Sequence, residues 1–173
     1  MVWLWITAAI VLIFGVVVFR GAPYVPSRKR EIQRAFSELY PLDEDDLLVD
    51  IGSGDGIVLR QAAAHGARAV GYELNPILVI ISQWLSRDQR GLVRVTLADF
   101  WRVALPDDTT VVYVFGESRD IVKMAQKVIS EATRLGRPLA FISYGFAVPG
   151  LEPVRTVGAY FLYELDPLQE AEA

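Results

Sequence analysis

The residues most able to do chemistry lie between Val49 and Pro76, where the chain reads Val-Asp-Ile-Gly-Ser-Gly-Asp-Gly, a short helical run, and then Gly-Tyr-Glu-Leu-Asn-Pro. Glycines at alternate positions (Gly52, Gly54, Gly56) let a backbone pass close beneath a ligand, where a β-carbon would collide. Glu73 follows at the distance at which an acid accepts hydrogen bonds from two ribose hydroxyls. A dinucleotide fingerprint spaces its glycines G-x-G-x-x-G and seats a pyrophosphate on a helix N-terminus. Here the third glycine comes one residue early and Asp55 occupies the loop, so a pyrophosphate would be repelled. An acid in that place suits S-adenosylmethionine, which carries an ammonium and a sulfonium. Asp50, Gly52, Ser53, Gly54, Asp55 and Gly56 form the loop half of the expected site, with Glu73 and its neighbour Leu74 opposite.

Asp99 and Phe100 close a third apolar segment. The carboxylate of Asp99 is placed to accept the adenine amino group, with Phe100 or Leu97 against the ring; an ordinary solvated loop acid is the alternative role. Farther on, Phe115-Gly-Glu-Ser118 lies where an acceptor would enter. Glu117 and Phe115 are therefore the candidate catalytic residues. Glu117 orients an acceptor amine, although a first-turn helix acid favoured by the helix dipole would occupy the same position. Phe115, Trp101 and Tyr144 could wall a slot for an alkyl-ammonium, with core packing as the competing fate of each ring. Tyr24 is assigned to the cofactor by position alone.

These residues need strands that end in loops at one edge of a sheet. Apolar runs predict strands at 47–51, 68–73, 92–97, 110–115 and 138–144, and helices at 56–65, 76–87 and 119–135. Asn75-Pro76 supplies a cap and a first-turn proline, Ser118 caps the last helix, and Gly136 ends it. Segments 152–158 and 159–165 are too close for a crossover helix and are read as an antiparallel hairpin. The expected fold is α/β, a Rossmann-like, mostly parallel seven-stranded sheet with a C-terminal antiparallel hairpin.

The 173-residue chain contains no cysteine and one histidine, so thiolate metal sites and a structural zinc site are excluded, and no metal is expected. His65 is placed at the end of a helix, before Gly66. The net charge of −4 hides a division: residues 20–34 carry five basic side chains and one acidic, a net +4, while residues 35–173 carry a net −8. Basic charge confined to one short segment argues against a nucleic-acid partner. Residues 1–19 contain no charged side chain and as a helix would span roughly 28 Å, close to the thickness of a bilayer core. The chain is accordingly divided into a transmembrane anchor (1–20), a linker and amphipathic helix (21–41), a catalytic domain (42–166) and a disordered tail (167–173). The cationic flank after the anchor predicts a single-pass protein whose domain faces the cytoplasm. Pro23 and Pro26 hold the linker extended, Ser27 caps a helix with Ile32, Ala35, Phe36, Leu39 and Tyr40 on one face, and Pro41 ends it.

The chain resembles class I S-adenosylmethionine-dependent methyltransferases. More narrowly, it is similar to the small membrane-anchored family that includes the lysine methyltransferases of the ATP synthase c-ring protein and of the adenine nucleotide translocase. The resemblance rests on Pro23-Tyr-Val-Pro-Ser27, Val49-Asp-Ile-Gly-Ser-Gly-Asp-Gly56, Gly71-Tyr-Glu-Leu-Asn-Pro76, Ala98-Asp-Phe-Trp101 and Val112-Tyr-Val-Phe-Gly116. The family commonly has arginine directly after the last loop glycine, where this chain has Ile57. The resemblance implies S-adenosylmethionine as cofactor and a lysine acceptor on a protein, expected to be membrane-embedded. Small-molecule or lipid methyl transfer and a catalytically silent membrane scaffold are the alternatives. A nicotinamide-dependent oxidoreductase shares Glu73 but not the glycine spacing.

Overall fold

The computed structural model describes residues 1–5, 29–115 and 120–167. Seven strands form one sheet: β1 (Leu47–Ile51), β2 (Arg68–Glu73), β3 (Val93–Leu97), β4 (Val111–Phe115), β5 (Leu139–Tyr144), β6 (Arg155–Val157) and β7 (Tyr160–Leu165). Their order is β3-β2-β1-β4-β5-β7-β6. The first five pair in parallel, and β7 runs antiparallel to both β5 and β6. The central strands have little polar alternation because both their faces are covered. β1 is buried at every position, and successive residues serve opposite cores.

Leu48, Val111, Ile142 and Leu162 face one core, while Val49, Val112, Phe141 and Tyr163 face the other. The first core is closed by α1 (Lys29–Arg34), α2 (Ile57–Ala64) and α3 (Pro76–Leu85) through Ile32, Val58, Leu59 and Val79. The second is closed by α4 (Ile121–Leu135) through Ile121, Ala125, Val128 and Ala132. Those residues recur every three or four positions, as one stripe of an amphipathic helix must.

The helix expected before Pro41 is present, with a change of pitch. After α1 the backbone widens into a π-helical turn over Ala35–Leu39, and the Tyr40 N–H reaches the Ala35 carbonyl at 3.0 Å. Ile32, Ala35, Phe36 and Leu39 are all buried, as their spacing requires. Helix α3 ends at Leu85 rather than residue 87, because a 3₁₀ turn at Arg87–Gln89 takes over. The first strand of the hairpin is confined to Arg155–Val157, and Arg155 ties it to the Glu38 carbonyl at 3.0 Å. His65 ends α2, its Nδ1 2.9 Å from the Gln61 carbonyl and its ring edge-on to Phe36.

Among the described residues no helix is long and apolar enough to cross a membrane. Residues 6–28, which hold most of the expected anchor and the linker with Pro23, Tyr24, Pro26 and Ser27, lie outside the described residues, as do residues 116–119 and 168–173.

Candidate cofactor and acceptor site

The sheet order reverses between β1 and β4, and open α/β sheets bind ligands at such a switch point, on the loops beyond the carboxyl ends of the strands. The sequence places its chemistry on these loops. The backbone turns sharply after Ile51, with Gly52, Gly54 and Gly56 at φ 73°, 54° and 77°, values that side chains with a β-carbon rarely adopt. At Gly52 an added β-carbon would meet nothing within 4 Å, so the loop backbone lies open there. At Gly56 an added β-carbon would strike the buried Ser82 of α3.

Glu73 holds the two loops together. Its Oε2 accepts the Gly54 N–H at 2.9 Å and its Oε1 the Asn75 N–H at 2.8 Å. Asn75 in turn accepts the Ile77 N–H at 3.0 Å and caps α3. Each carboxylate oxygen thus uses one lone pair on backbone, leaving a second for a ligand hydroxyl. The Gly52 and Ser53 N–H groups both donate to the Tyr72 carbonyl, at 2.9 and 3.2 Å.

Behind the loop lies Asp50, 3% exposed. Burial first, and then the nearby charges of Glu73 and Asp55, push its carboxyl well above the usual carboxylate range. Asp55 accepts the Ile57 N–H at 3.1 Å and approaches the Arg60 guanidinium at 3.6 Å. Arg60, less than one turn past Ile57, therefore brings a guanidinium to this loop. Asp55, Glu73 and, behind them, Asp50 gather three acidic side chains around one glycine turn. Among the described residues no group of acids and histidine has the arrangement of metal ligands.

At the neighbouring edge Asp99 caps a 3₁₀ turn, Phe100–Arg102, accepting the Trp101 N–H at 3.1 Å, with Arg102 Nε 3.4 Å from its other oxygen. Phe100, 5% exposed, packs into the second core with Val49, Ile51 and Tyr72. The apolar side chains that remain open at this edge include Leu97, 55% exposed, Leu74 and Trp101. At the end of β4, Phe115 packs on Tyr144 with ring centroids 4.8 Å apart, and Tyr144 stacks on Tyr160 at 4.4 Å. Trp101 stands against Phe100 instead, so the structure joins two of the three expected slot rings and not the third. Glu117 and Tyr24 lie outside the described residues.

Sequence reasoning overlooked how tightly β2 approaches the loop. A β-carbon at Gly71 would lie 2.5 Å from Ser53 Oγ and 2.6 Å from a Leu59 methyl. The signal was present as a glycine inside an otherwise apolar strand, a mark of close backbone approach.

The family model described as the ANTKMT methyltransferase domain matches residues 50–155, from the buried acid of β1 to the start of β6. The chain is 33% identical over 138 residues to the lysine N-methyltransferase of the ATP synthase c-ring protein from Rattus norvegicus, covering 79% of this chain and 61% of that enzyme. It is 33% identical over 120 residues to the enzyme of the same name from Homo sapiens, covering 68% of this chain and 50% of that one. The chain thus spans between half and two thirds of the length of these relatives. Among solved structures it is similar to an RNA methyltransferase from Salinibacter ruber in complex with S-adenosyl-L-homocysteine, with a TM-score of 0.73 and 28% identity over 86% of this chain and 98% of that one. With more than half of its length matched by the family model, and with the glycine loop, the buried acids and the reversed sheet order inside that match, the chain belongs to the ANTKMT methyltransferase domain family.

Proposed function

We propose that this chain is an S-adenosylmethionine-dependent protein-lysine N-methyltransferase, held at a membrane by residues 1–20 with its domain on the cytoplasmic side. Its acceptor is a lysine of a membrane-embedded protein. The observation that carries the proposal is the set of three carboxylates (Asp50, Asp55 and Glu73) gathered on a glycine turn whose backbone lies open. That donor set fits a ligand bearing an ammonium, a sulfonium and a ribose, and does not fit a pyrophosphate. Membership of the family and the names of its lysine-methylating relatives support the lysine acceptor.

S-adenosylmethionine supplies an electrophilic methyl group, so the protein's task is alignment more than acid–base chemistry. Glu73 would offer its remaining lone pairs to the ribose hydroxyls, Asp99 would accept from the adenine amino group, and Leu74 and Leu97 would cover the base. Phe115 and Tyr144 flank the acceptor's path, and Glu117 orients the amine. The lysine enters as a neutral amine, having given its proton to water. Its nitrogen would form a bond to the methyl carbon as the carbon–sulfur bond breaks, leaving a methyl-ammonium on the acceptor and a neutral thioether on the cofactor.

Incubation of the full chain and labelled S-adenosylmethionine with separated membrane and cytosolic fractions tests this directly. Label is expected on lysines of membrane proteins. Label chiefly in soluble protein, nucleic acid or extractable lipid contradicts the acceptor. Protease outside intact cells is expected to spare the domain, and digestion there would reverse the orientation.

A further inference from the structure

Helix α3 is unusual for a helix covering a sheet. Its sequence, Pro-Ile-Leu-Val-Ile-Ile-Ser-Gln-Trp-Leu, is apolar almost throughout, yet only Val79 and Ser82 are buried. Ile80 is 65% exposed and Trp84 63%, with Ile81 and Leu85 exposed beside them. A contiguous apolar face of this kind marks an interaction surface.

What surrounds the face identifies what it meets. Arg87 and Arg90 are exposed just beyond its end, in a domain whose overall charge is negative. The Arg87 guanidinium lies 4.8 Å from the Trp84 ring centroid, which leaves an amphipathic Trp-Arg pair at the boundary between apolar and basic surface. Beside it is a cavity of about 220 Å³ lined by Gln83, Ser86, Arg90, Val93 and Val95. Ser86 is buried there, and its Oγ has no hydrogen-bond partner among the described residues. An apolar stripe, an interfacial tryptophan, two arginines and a polar recess able to receive a phosphate are the chemistry of a phospholipid surface.

The position of α3 agrees. It covers the same face of the sheet as α1, through one core that includes Ile32 and Val79, and α1 exposes Lys29, Arg30 and Arg34. With α2 between them and packed helices 8–10 Å apart, the two basic ends are separated by about 16–20 Å. The eight residues 21–28 span up to about 26–29 Å when extended, enough for a chain anchored by its leader to lay this face on the bilayer.

We infer that the exposed face of α3 docks on an anionic phospholipid surface, with the lipid phosphates meeting Arg87, Arg90 and the Ser86 recess. This rests on the membrane attachment proposed above and sets the attitude of the domain toward the bilayer.

Because the chain has no cysteine, a single nitroxide can be placed on the full-length protein at Ile80→Cys, or on the opposite layer at Ser130→Cys in α4. The labelled chains are floated with phosphatidylcholine–phosphatidylglycerol vesicles, and collisions with lipid-soluble oxygen are compared with collisions with a water-soluble nickel chelate. The ratio of oxygen to nickel accessibility is expected to be several-fold higher at position 80 than at 130. Replacing Arg87 and Arg90 together by Gln is expected to lower that ratio at 80. A chain that floats but shows the same ratio at both positions overturns the docking while leaving the anchor intact. Shielding of position 80 from both reagents means that protein covers α3 and also overturns it. A chain that does not float overturns the anchor and the docking together. An unchanged ratio in the arginine variant overturns the phosphate contacts.

Discussion

Two acids carry the account at the scale of single residues, and they do different work. Glu73 is fixed by two backbone N–H groups and belongs to the architecture of the loops as much as to any ligand. Asp50 is buried without such partners among the described residues and is held protonated over a wider range by its burial and by Glu73 and Asp55. Its native carboxyl binds a proton more tightly than the unfolded chain does. The native state therefore holds more protons above the ordinary value of 3.8, and stability falls as pH rises from there through the raised native value. Asp50→Asn removes that titration. Denaturant titrations over a pH series should show the variant losing less stability than the parent as pH rises through this window. A parallel pH dependence would mean that Asp50 is not the strained acid. The same strain is relieved when a cation arrives, which gives the loop a preference for positively charged ligands.

At the scale of elements, the junction of loop, β2 and α2 leaves no slack. Gly71→Ala must displace Ser53 or Leu59, an overpacking change with a typical cost of about 1–3 kcal/mol. The predicted outcome is a loop that moves away from Glu73, measured by calorimetry as weaker binding of S-adenosyl-L-homocysteine in a chain that still unfolds cooperatively. Unchanged affinity would show that the contact is only structural. The strands and helices were readable from sequence because apolar runs bounded by glycine, proline and cap residues leave few alternatives. Asn75-Pro76 began one element and Gly136 ended another where their chemistry said they would. The π-helical turn at Ala35–Leu39 was not readable, since it keeps the same residues buried as an α-helix would. Nor was the position of Phe100: an aromatic after a strand-end acid fits a ligand or a core equally well, and only packing against Val49 and Tyr72 decides. The contact of Gly56 with Ser82 joins elements 26 residues apart and leaves no local trace in the sequence.

For the whole molecule, the parts form one argument about location. The glycine turn and its acids are the proposed seat of a cofactor with a positive charge. The uncharged leader, the basic residues of α1 and the apolar face of α3 all bear on where that cofactor is used. A domain held against lipid by both a tether and a face would act on lysines near the head-group plane, because their effective concentration exceeds that of cytosolic competitors. The most direct measurement is tandem mass spectrometry of lysine methylation in membrane proteins from cells that carry the chain, lack it, or carry Glu73→Ala. A methyl-lysine on a membrane-embedded protein should disappear when the chain is absent, return with the parent, and fail to return with the variant, which loses a charge-assisted contact with the cofactor of about 1.5–3 kcal/mol. Membrane proteins with identical lysine methylation in all three would contradict the account.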